Sequence, residues 1–331
     1  MAQPLKQLPQ ELEENILSRL PPRSLVRFRA VCQRWNGLFN DKSFVNDHFS
    51  CSRPGFLFLG SPKNYSIDIM NANSIDPTIQ LSLWNPWLRQ FKLIEKNGTK
   101  FHCCGLGYEI TGGRSNKVHK ILGSFDCVPA EEYTRVAIYE CASHVFKHID
   151  LPQNKWLMFG AKENVSLNGN LFWLSREAET NEYFIRSFDF SVATFKPFCL
   201  LPCKKDGDEY RDALLLQVFK GDRLSLLKQN CVTRKIEIWV TNKVVRREEE
   251  VVVWTKMMSL LTTNFPRLLK QVYRKSYFVY DKTLFVCCFE KSTSVPCIYI
   301  VREDLCKRIR IDSGLFQCCH CVYTPSLIPV P

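Results

Sequence analysis

The sequence has no long apolar run. Its longest runs, such as residues 214–216 and 251–254, are far shorter than the roughly 18 residues that a membrane-spanning helix needs. The N-terminus, MAQPLKQLPQELEE, also lacks the apolar core of an export signal. We therefore expect a soluble protein with no membrane segment and no export signal.

Paired cysteines of the kind that hold structural zinc are also missing. Short cysteine clusters occur at 318–321, which also contains His320, at 102–104 and at 199–203, but none has the paired spacing of a zinc site, and adjacent residues on a strand point to opposite faces. The 16 cysteines are about 5% of the 331 residues, below the 8–10% of small disulfide scaffolds. We interpret them as reduced core thiols, expect a cytoplasmic or nuclear protein, and predict neither metal nor cofactor.

Motifs of common enzyme and nucleotide-binding classes are absent as well. No Gly-x-Ser-x-Gly nucleophile motif accompanies the histidines, and no Walker-type loop occurs. The segment Gly105-Leu106-Gly107 lacks the third glycine and the following helix of a dinucleotide-binding loop. We expect no catalytic residues.

Basic residues outnumber acidic ones by 45 to 33, which gives a net charge of +12. The excess is spread along the chain, and its longest cluster, residues 246–250, contains three glutamates that neutralise it. Aromatic and basic residues alternate at 273–278, which could stack nucleic-acid bases, but the favoured interpretation is a strand edge next to a turn. A solvated basic surface is the favoured interpretation, and nucleic-acid binding is disfavoured.

Residues 8–49 have a helical pattern that stops at residues 51–55, where a domain boundary belongs. A first amphipathic helix has Pro9 at its first position and ends at Pro21-Pro22, and a second apolar stretch follows a cap at Ser24. A third, turn-rich piece spans residues 43–49. About forty residues are too few to bury this many large apolar side chains, so such a unit needs a partner or a neighbouring domain.

This pattern closely resembles an F-box motif in Leu8-Pro9-x-x-Leu12, Ile16-Leu17-x-x-Leu20-Pro21, Ser24-Leu25 and Val31-Cys32-x-x-Trp35-Asn36. The resemblance implies a three-helix module that docks on the Skp-family adaptor of an SCF (Skp–cullin–F-box) ubiquitin ligase. The adaptor-binding residues carried over are Leu8, Pro9, Leu12, Ile16, Leu20, Pro21, Leu25, Val31 and Trp35. For several of the apolar residues, Leu17 and Phe28 especially, a role as internal core is an equal alternative.

After residue 51 the pattern changes to short β-branched and aromatic runs between turn signals, which predicts antiparallel strands. The pair Asn168-Gly169 between two apolar runs is a strong hairpin signal, and further turns are predicted at Gly221 and Lys282. A frame that begins with an aromatic residue recurs about every 50 residues, at 84, 139, 188 and more weakly at 239 and 299. Two hairpins per repeat indicate a kelch-like β-propeller of about five or six blades; a pair of β-sandwiches is the alternative.

The same region resembles the F-box-associated domain of the large plant F-box family. The matching residues are Leu83-Trp84-Asn85-Pro86, Gly105-Leu106-Gly107-Tyr108-Glu109, residues 166–173, residues 187–190 and residues 236–240. The resemblance implies a propeller-like domain that presents substrate to the ligase and contributes no catalytic residues. The sequence departs from the family at residues 118–121, where a Tyr-Lys pair is usual.

We thus expect a mainly β protein with a small α module: an F-box at residues 1–50 and a propeller-like domain at residues 51–331. The expected function is substrate recognition in an SCF-type ligase, with a Skp-family adaptor, a cullin and an unidentified protein substrate as partners. A basic propeller scaffold that binds an acidic protein or RNA independently of a ligase is the alternative. A propeller hydrolase is a more distant one and would need a cluster of Asp, Glu and His at the central channel.

Overall fold

The computed structural model describes residues 8–59, 64–66, 82–86, 88–93, 101–111, 116–125, 135–149, 164–177, 180, 182–203, 212–242, 251–262, 264–268, 275–290, 293, 295–303, 305–311, 319–328 and 330. Within these residues the chain forms four short helices and then 21 strands. No helix in this part of the chain is long and apolar enough to cross a membrane.

The helices are α1 (Gln10–Leu17), α2 (Pro22–Phe28), α3 (Gln33–Leu38) and α4 (Lys42–Cys51). The expected three-helix module therefore has four helices. The second stretch divides because Cys32 is extended, and its sulfur accepts the backbone N–H of Trp35 as the N-cap of α3. The piece expected to be turn-rich is a helix because the Asp41 carboxylate accepts the N–H groups of Ser43 and Phe44.

Prolines fix the first two helix starts. Pro9 is the N-cap of α1, so this helix begins one residue later than predicted. The N-cap of α2 is Pro21 and not the predicted Ser24, and Pro22 occupies the first turn of α2. Glu11 and Glu13 lie in the first turn of α1, where the helix dipole favours negative charge. The last helix continues through Cys51, one residue past the predicted boundary, and the first strand begins at Gly55.

The strands are β1 (Gly55–Leu59), β2 (Asn64–Ser66), β3 (Ser82–Asn85), β4 (Gln90–Leu93), β5 (Phe101–Thr111), β6 (Asn116–Phe125), β7 (Arg135–Glu140), β8 (Val145–Ile149), β9 (Asn164–Leu167), β10 (Asn170–Arg176), β11 (Tyr183–Asp189), β12 (Thr194–Leu200), β13 (Ala213–Phe219), β14 (Arg223–Gln229), β15 (Ile236–Thr241), β16 (Trp254–Leu260), β17 (Ser276–Tyr280), β18 (Thr283–Phe289), β19 (Pro296–Arg302), β20 (Leu305–Arg310) and β21 (Cys319–Tyr323).

Four antiparallel sheets have four strands each, in the orders β5–β8, β9–β12, β13–β16 and β17–β20. Their first strands lie side by side, β5 against β9, β9 against β13, and β13 against β17. The second strands, such as β14, are largely buried, and the fourth strands, such as β20, are largely exposed. Neighbouring sheets that meet along their first strands form a propeller rather than a pair of sandwiches.

The repeated aromatic frame marks one position in this architecture. Tyr139, Phe188, Trp239 and Tyr299 lie on β7, β11, β15 and β19, the third strand of each four-stranded sheet. The first copy, at Trp84, lies on β3, in the two-stranded sheet of β3 and β4. The described residues thus contain four complete four-stranded units, and the count of five or six blades stays a prediction.

The predicted hairpin turns join first and second strands. Both central residues have positive φ in each: Asn168 and Gly169 at 51° and 84°, Lys220 and Gly221 at 52° and 78°, and Asp281 and Lys282 at 47° and 56°. This is the type I′ geometry, whose twist matches that of the flanking strands.

Close contact between the first two of these sheets requires a glycine at position 107. A Cβ added to Gly107 would lie closer than 3.0 Å to the Phe190 ring and to the carbonyl oxygen of Gly169. The neighbouring Tyr108 N–H donates to that same carbonyl at 3.0 Å.

The two ends of the β domain pair with each other. Strand β21 is antiparallel to β1, with Phe56 opposite Val322, and it also lies against β17.

Candidate functional site

Exposed apolar side chains lie along helix α1 and just before it. Leu12 and Ile16 lie one turn apart on α1, with exposed fractions of 54% and 52%. Leu8, two residues before the helix, is 57% exposed. We call these three residues the α1 stripe. Pro9 is exposed beside its first member. Aligned large apolar side chains left in water mark a surface that another molecule covers.

The opposite face of α1 packs into the helical module. Leu17 is buried with Leu25, Phe39 and Phe44, and Phe28 is partly buried against this cluster. The core alternative is thus confirmed for Leu17. Leu25 is fully buried, so its side chain has no surface through which to contact a partner in this conformation.

The remaining predicted contact residues differ in exposure. Pro21 and Val31 are exposed, Val31 in the turn between α2 and α3. Leu20 is partly buried against the helical core. Trp35 is also partly buried, with its ring centroid 5.5 Å from that of Phe28. The structure therefore divides the predicted set into an exposed group and a group that supports the module from inside.

Glu13 connects the first and third helices. Its carboxylate accepts the indole N–H of Trp35 and pairs with the guanidinium of Arg34. This connection orients the helix that carries the α1 stripe. Nothing local in the sequence indicates that Glu13 has partners 21 and 22 residues away.

A buried histidine joins the last helix to the turn after α1. The Nε2–H of His48 donates to the carbonyl oxygen of Leu20 at 2.9 Å, since a carbonyl only accepts. Burial lowers the pKa of His48, because removal from water disfavours the imidazolium. The ring is therefore neutral at pH 7, and α4 and α1 are held together without a buried charge.

The module rests on the β domain at the ends of several strands. Leu88, in the β3–β4 turn, and Leu327, after β21, pack into the helical core. The Phe49 ring lies beside Gly221 in the β13–β14 turn. The Arg53 guanidinium lies 5.2 Å from the centroid of the Tyr280 ring at the end of β17. The α1 stripe takes no part in these contacts.

Burial differs among the cysteines of the predicted clusters that the structure describes, and only some of them are core thiols. On β5, Cys103 is exposed and the adjacent Cys104 is buried, and burial raises the pKa of Cys104 to about 12. Burial also raises the pKa of Cys141 and Cys199 to about 11. In the described part of the chain no three potential metal ligands come together. Cys318 and the side chains of His102 and Cys319 lie outside that part.

Two protein-family models match the chain. Residues 5–47 match the F-box domain, and residues 72–330 match the F-box associated beta propeller domain. The chain belongs to the F-box proteins with an F-box associated β-propeller domain. F-box domains in general bind the Skp-family adaptor of SCF complexes, and F-box proteins are in general non-catalytic adaptors. The four helices are therefore the F-box, and the α1 stripe is its exposed apolar face.

Relatives in Arabidopsis thaliana match over nearly the whole chain. The F-box protein At3g17710 is 48% identical and Protein SUPPRESSOR OF NIM1 1 is 46% identical, each over 98% of this chain and 97% and 98% of their own lengths. Jacalin-related lectin 38 is 35% identical and extends further, since the match covers 69% of its length.

Among solved structures, two acylaminoacyl peptidases resemble part of the chain at a low level. One is in complex with Z-Gly-Gly-Phe-chloromethyl ketone and the other is from Pyrococcus horikoshii. Their TM-scores are 0.30 and 0.29 at 11% identity, over 63% of this chain and about a third of theirs. Similarity at this level carries no functional argument.

Proposed function

We propose that this chain is the substrate-recognition subunit of an SCF-type ubiquitin ligase of the cytoplasm or nucleus. Its F-box docks on a Skp-family adaptor, which joins it to a cullin, and its β domain holds a target protein. The observation that carries this proposal is the α1 stripe. Two large apolar side chains on α1 and a third just before it stay in water, although Leu17 of the same helix is packed and the module already rests on the β domain.

The physical role is to raise a local concentration. A target lysine held near the ubiquitin-charged enzyme reacts as if the step were intramolecular, which removes much of the entropic cost of encounter. The chain needs no catalytic group of its own for this role. It needs a surface for the adaptor, a surface for the target and a defined geometry between the two.

Direct binding to a Skp-family adaptor tests the proposal. We expect submicromolar affinity for the purified chain and loss of binding in a variant with Leu8→Ala and Pro9→Ala. The matched control is Val192→Ala, because Val192 is equally exposed, at 56%, in the β11–β12 turn of the other domain. Absence of adaptor binding by a folded wild-type chain would overturn the proposal.

Salt dependence distinguishes the proposal from the charge-driven scaffold. Burial of the α1 stripe is a hydrophobic contact, so adaptor affinity changes little between 50 and 200 mM salt. Binding to RNA through Lys and Arg side chains would weaken steeply over the same range, because counterions are released. RNA binding with such a slope, unaffected by the Leu8 and Pro9 changes, favours the scaffold.

A further inference from the structure

Asn85, at the end of β3, lies in a saturated network of hydrogen bonds. Its side chain is buried, with 6% exposed. The Nδ2 group donates to the carbonyl oxygens of Ser326 at 3.1 Å and Ile328 at 2.8 Å. The Oδ1 atom accepts the N–H of Leu88 at 3.2 Å and the hydroxyl of Tyr323 at 3.3 Å. A primary amide has two N–H donors and two strong acceptor positions, and all four are used.

The two carbonyl groups held by Asn85 flank Leu327. That side chain is only 2% exposed and packs among the helices of the F-box with Leu17, Leu25, Phe39 and Phe44. The N–H group held by the same amide belongs to Leu88, whose side chain packs against the same cluster. One side chain of the β domain thus orients Leu88 and Leu327, the two residues that the described part of this domain contributes to the helical core.

Neighbouring contacts stiffen the C-terminal segment. The Ser326 hydroxyl accepts the N–H of Ile328 at 2.9 Å, and the N–H of Val330 donates to Oε1 of Gln90 at 2.9 Å. Tyr323 lies on β21 opposite Gly55, at the start of β1. Burial raises the pKa of the Tyr323 hydroxyl, which therefore stays a hydrogen-bond donor. These contacts hold the described residues 323–328 and residue 330 in place.

We propose that Asn85 is a positioning residue: by presenting Leu88 and Leu327 to the helical core, it fixes the orientation of the F-box on the β domain. Its effect on ubiquitin transfer rests on the proposed function, whereas the fixing of the module does not. An amide is required because two carbonyl oxygens and two donors converge on one buried side chain. A carboxylate of the same shape would face the two carbonyls without a hydrogen to donate.

Hydrogen exchange of the full-length chain, without any partner, tests the fixing step. In Asn85→Asp we expect the amides of α4 and of residues 324–328 to exchange at least about tenfold faster, because two donated bonds are lost. Leu327→Ala, which leaves the side-chain amide of Asn85 unchanged, should raise the exchange rate of the α4 backbone amides by a similar factor. Protection of β9–β12 should stay unchanged in both variants, which verifies that the β domain is folded.

Asn242→Asp is the matched control. Asn242 also bridges two backbone segments, since its side chain donates to the carbonyl of Val251 and accepts from the N–H of Val253, in the sheet of β13–β16. We expect no change of exchange in α4 for this variant. Wild-type exchange in α4 and in residues 324–328 of Asn85→Asp would overturn the proposal.

A reconstituted ligase tests the consequence for the reaction. The probe is the ligase's modification of this chain's own lysines, mapped by mass spectrometry, because the natural substrate is unidentified. Because the F-box is fixed on the β domain, the wild-type chain should carry ubiquitin on a small set of lysines. The Asn85→Asp variant should carry ubiquitin on a larger set of lysines, while its affinity for the adaptor stays unchanged. An unchanged set would overturn the positioning role. Failure of the wild type to bind the adaptor contradicts the proposed function instead and leaves the exchange test intact.

Discussion

Truncation of side chains in the α1 stripe should weaken adaptor binding, and the loss of binding free energy should depend on how much of each side chain is exposed. Full burial of a Leu or Ile side chain contributes about 1.5–3 kcal/mol. Leu12 and Ile16 are about half exposed, so about half of that, roughly 1 kcal/mol each, is still available to a partner. The double variant Leu12→Ala, Ile16→Ala should therefore lose about 2 kcal/mol, which is about a 30-fold rise in Kd at 1.4 kcal/mol per factor of ten.

The stability of the chain separates this loss from unfolding. Because both side chains are half exposed and outside the helical core, the double variant should keep the wild-type melting temperature within a few degrees. Leu17→Ala, on the buried face of the same helix, should instead reduce the free energy of unfolding by about 2–5 kcal/mol. The measurements are calorimetric titration with a Skp-family adaptor and thermal unfolding of each variant. A double variant that binds within threefold of wild type would refute the reasoning.

Three further outcomes follow from particular contacts. Gly107→Ala should reduce the free energy of unfolding by about 1–3 kcal/mol in a denaturant titration, because the methyl group meets backbone and an aromatic ring, whereas Gly55→Ala meets nothing within 4 Å. A thiol reagent at pH 8 should label exposed Cys51 at least about a hundredfold faster than buried Cys141, whose pKa is raised to about 11, as read by mass spectrometry. Burial lowers the pKa of His48, so the unfolded chain binds a proton at this residue near pH 6.5 whereas the folded module binds it only at lower pH. The stability of the module should therefore fall as the pH falls from 7 to 5. His48→Gln should reduce this pH dependence, as measured by hydrogen exchange of the module at each pH.

The β repeat could be predicted because its signals are local. The turns at Asn168, Lys220 and Lys282 need positive φ at successive positions, and this requirement restricts which residues stand there. The aromatic frame marks the third strand of each unit, which pairs on both sides within its own sheet. Both signals lie within about fifty residues of chain, so a single sequence displays them.

Exposure within the F-box could not be predicted in the same way. The three- and four-residue spacing identifies apolar faces, but it does not say which face another part of the chain covers. Leu25 and Val31 have similar standing in the pattern, yet Leu25 is fully buried and Val31 is exposed. The break between α2 and α3 depends on the extended backbone at Cys32, which no strong local signal announces.

The small size of the helical module did indicate that part of its apolar surface is covered from outside. About forty residues cannot enclose this many large apolar side chains, so something outside the module had to cover part of it. The β domain covers one part with Leu88 and Leu327, which stand more than two hundred residues apart in the chain and are brought together by Asn85. The α1 stripe stays exposed after that cover is in place. The sequence pattern thus indicates how much apolar surface must be covered. Only the tertiary contacts show which part of that surface the chain covers itself and which part stays exposed for a partner.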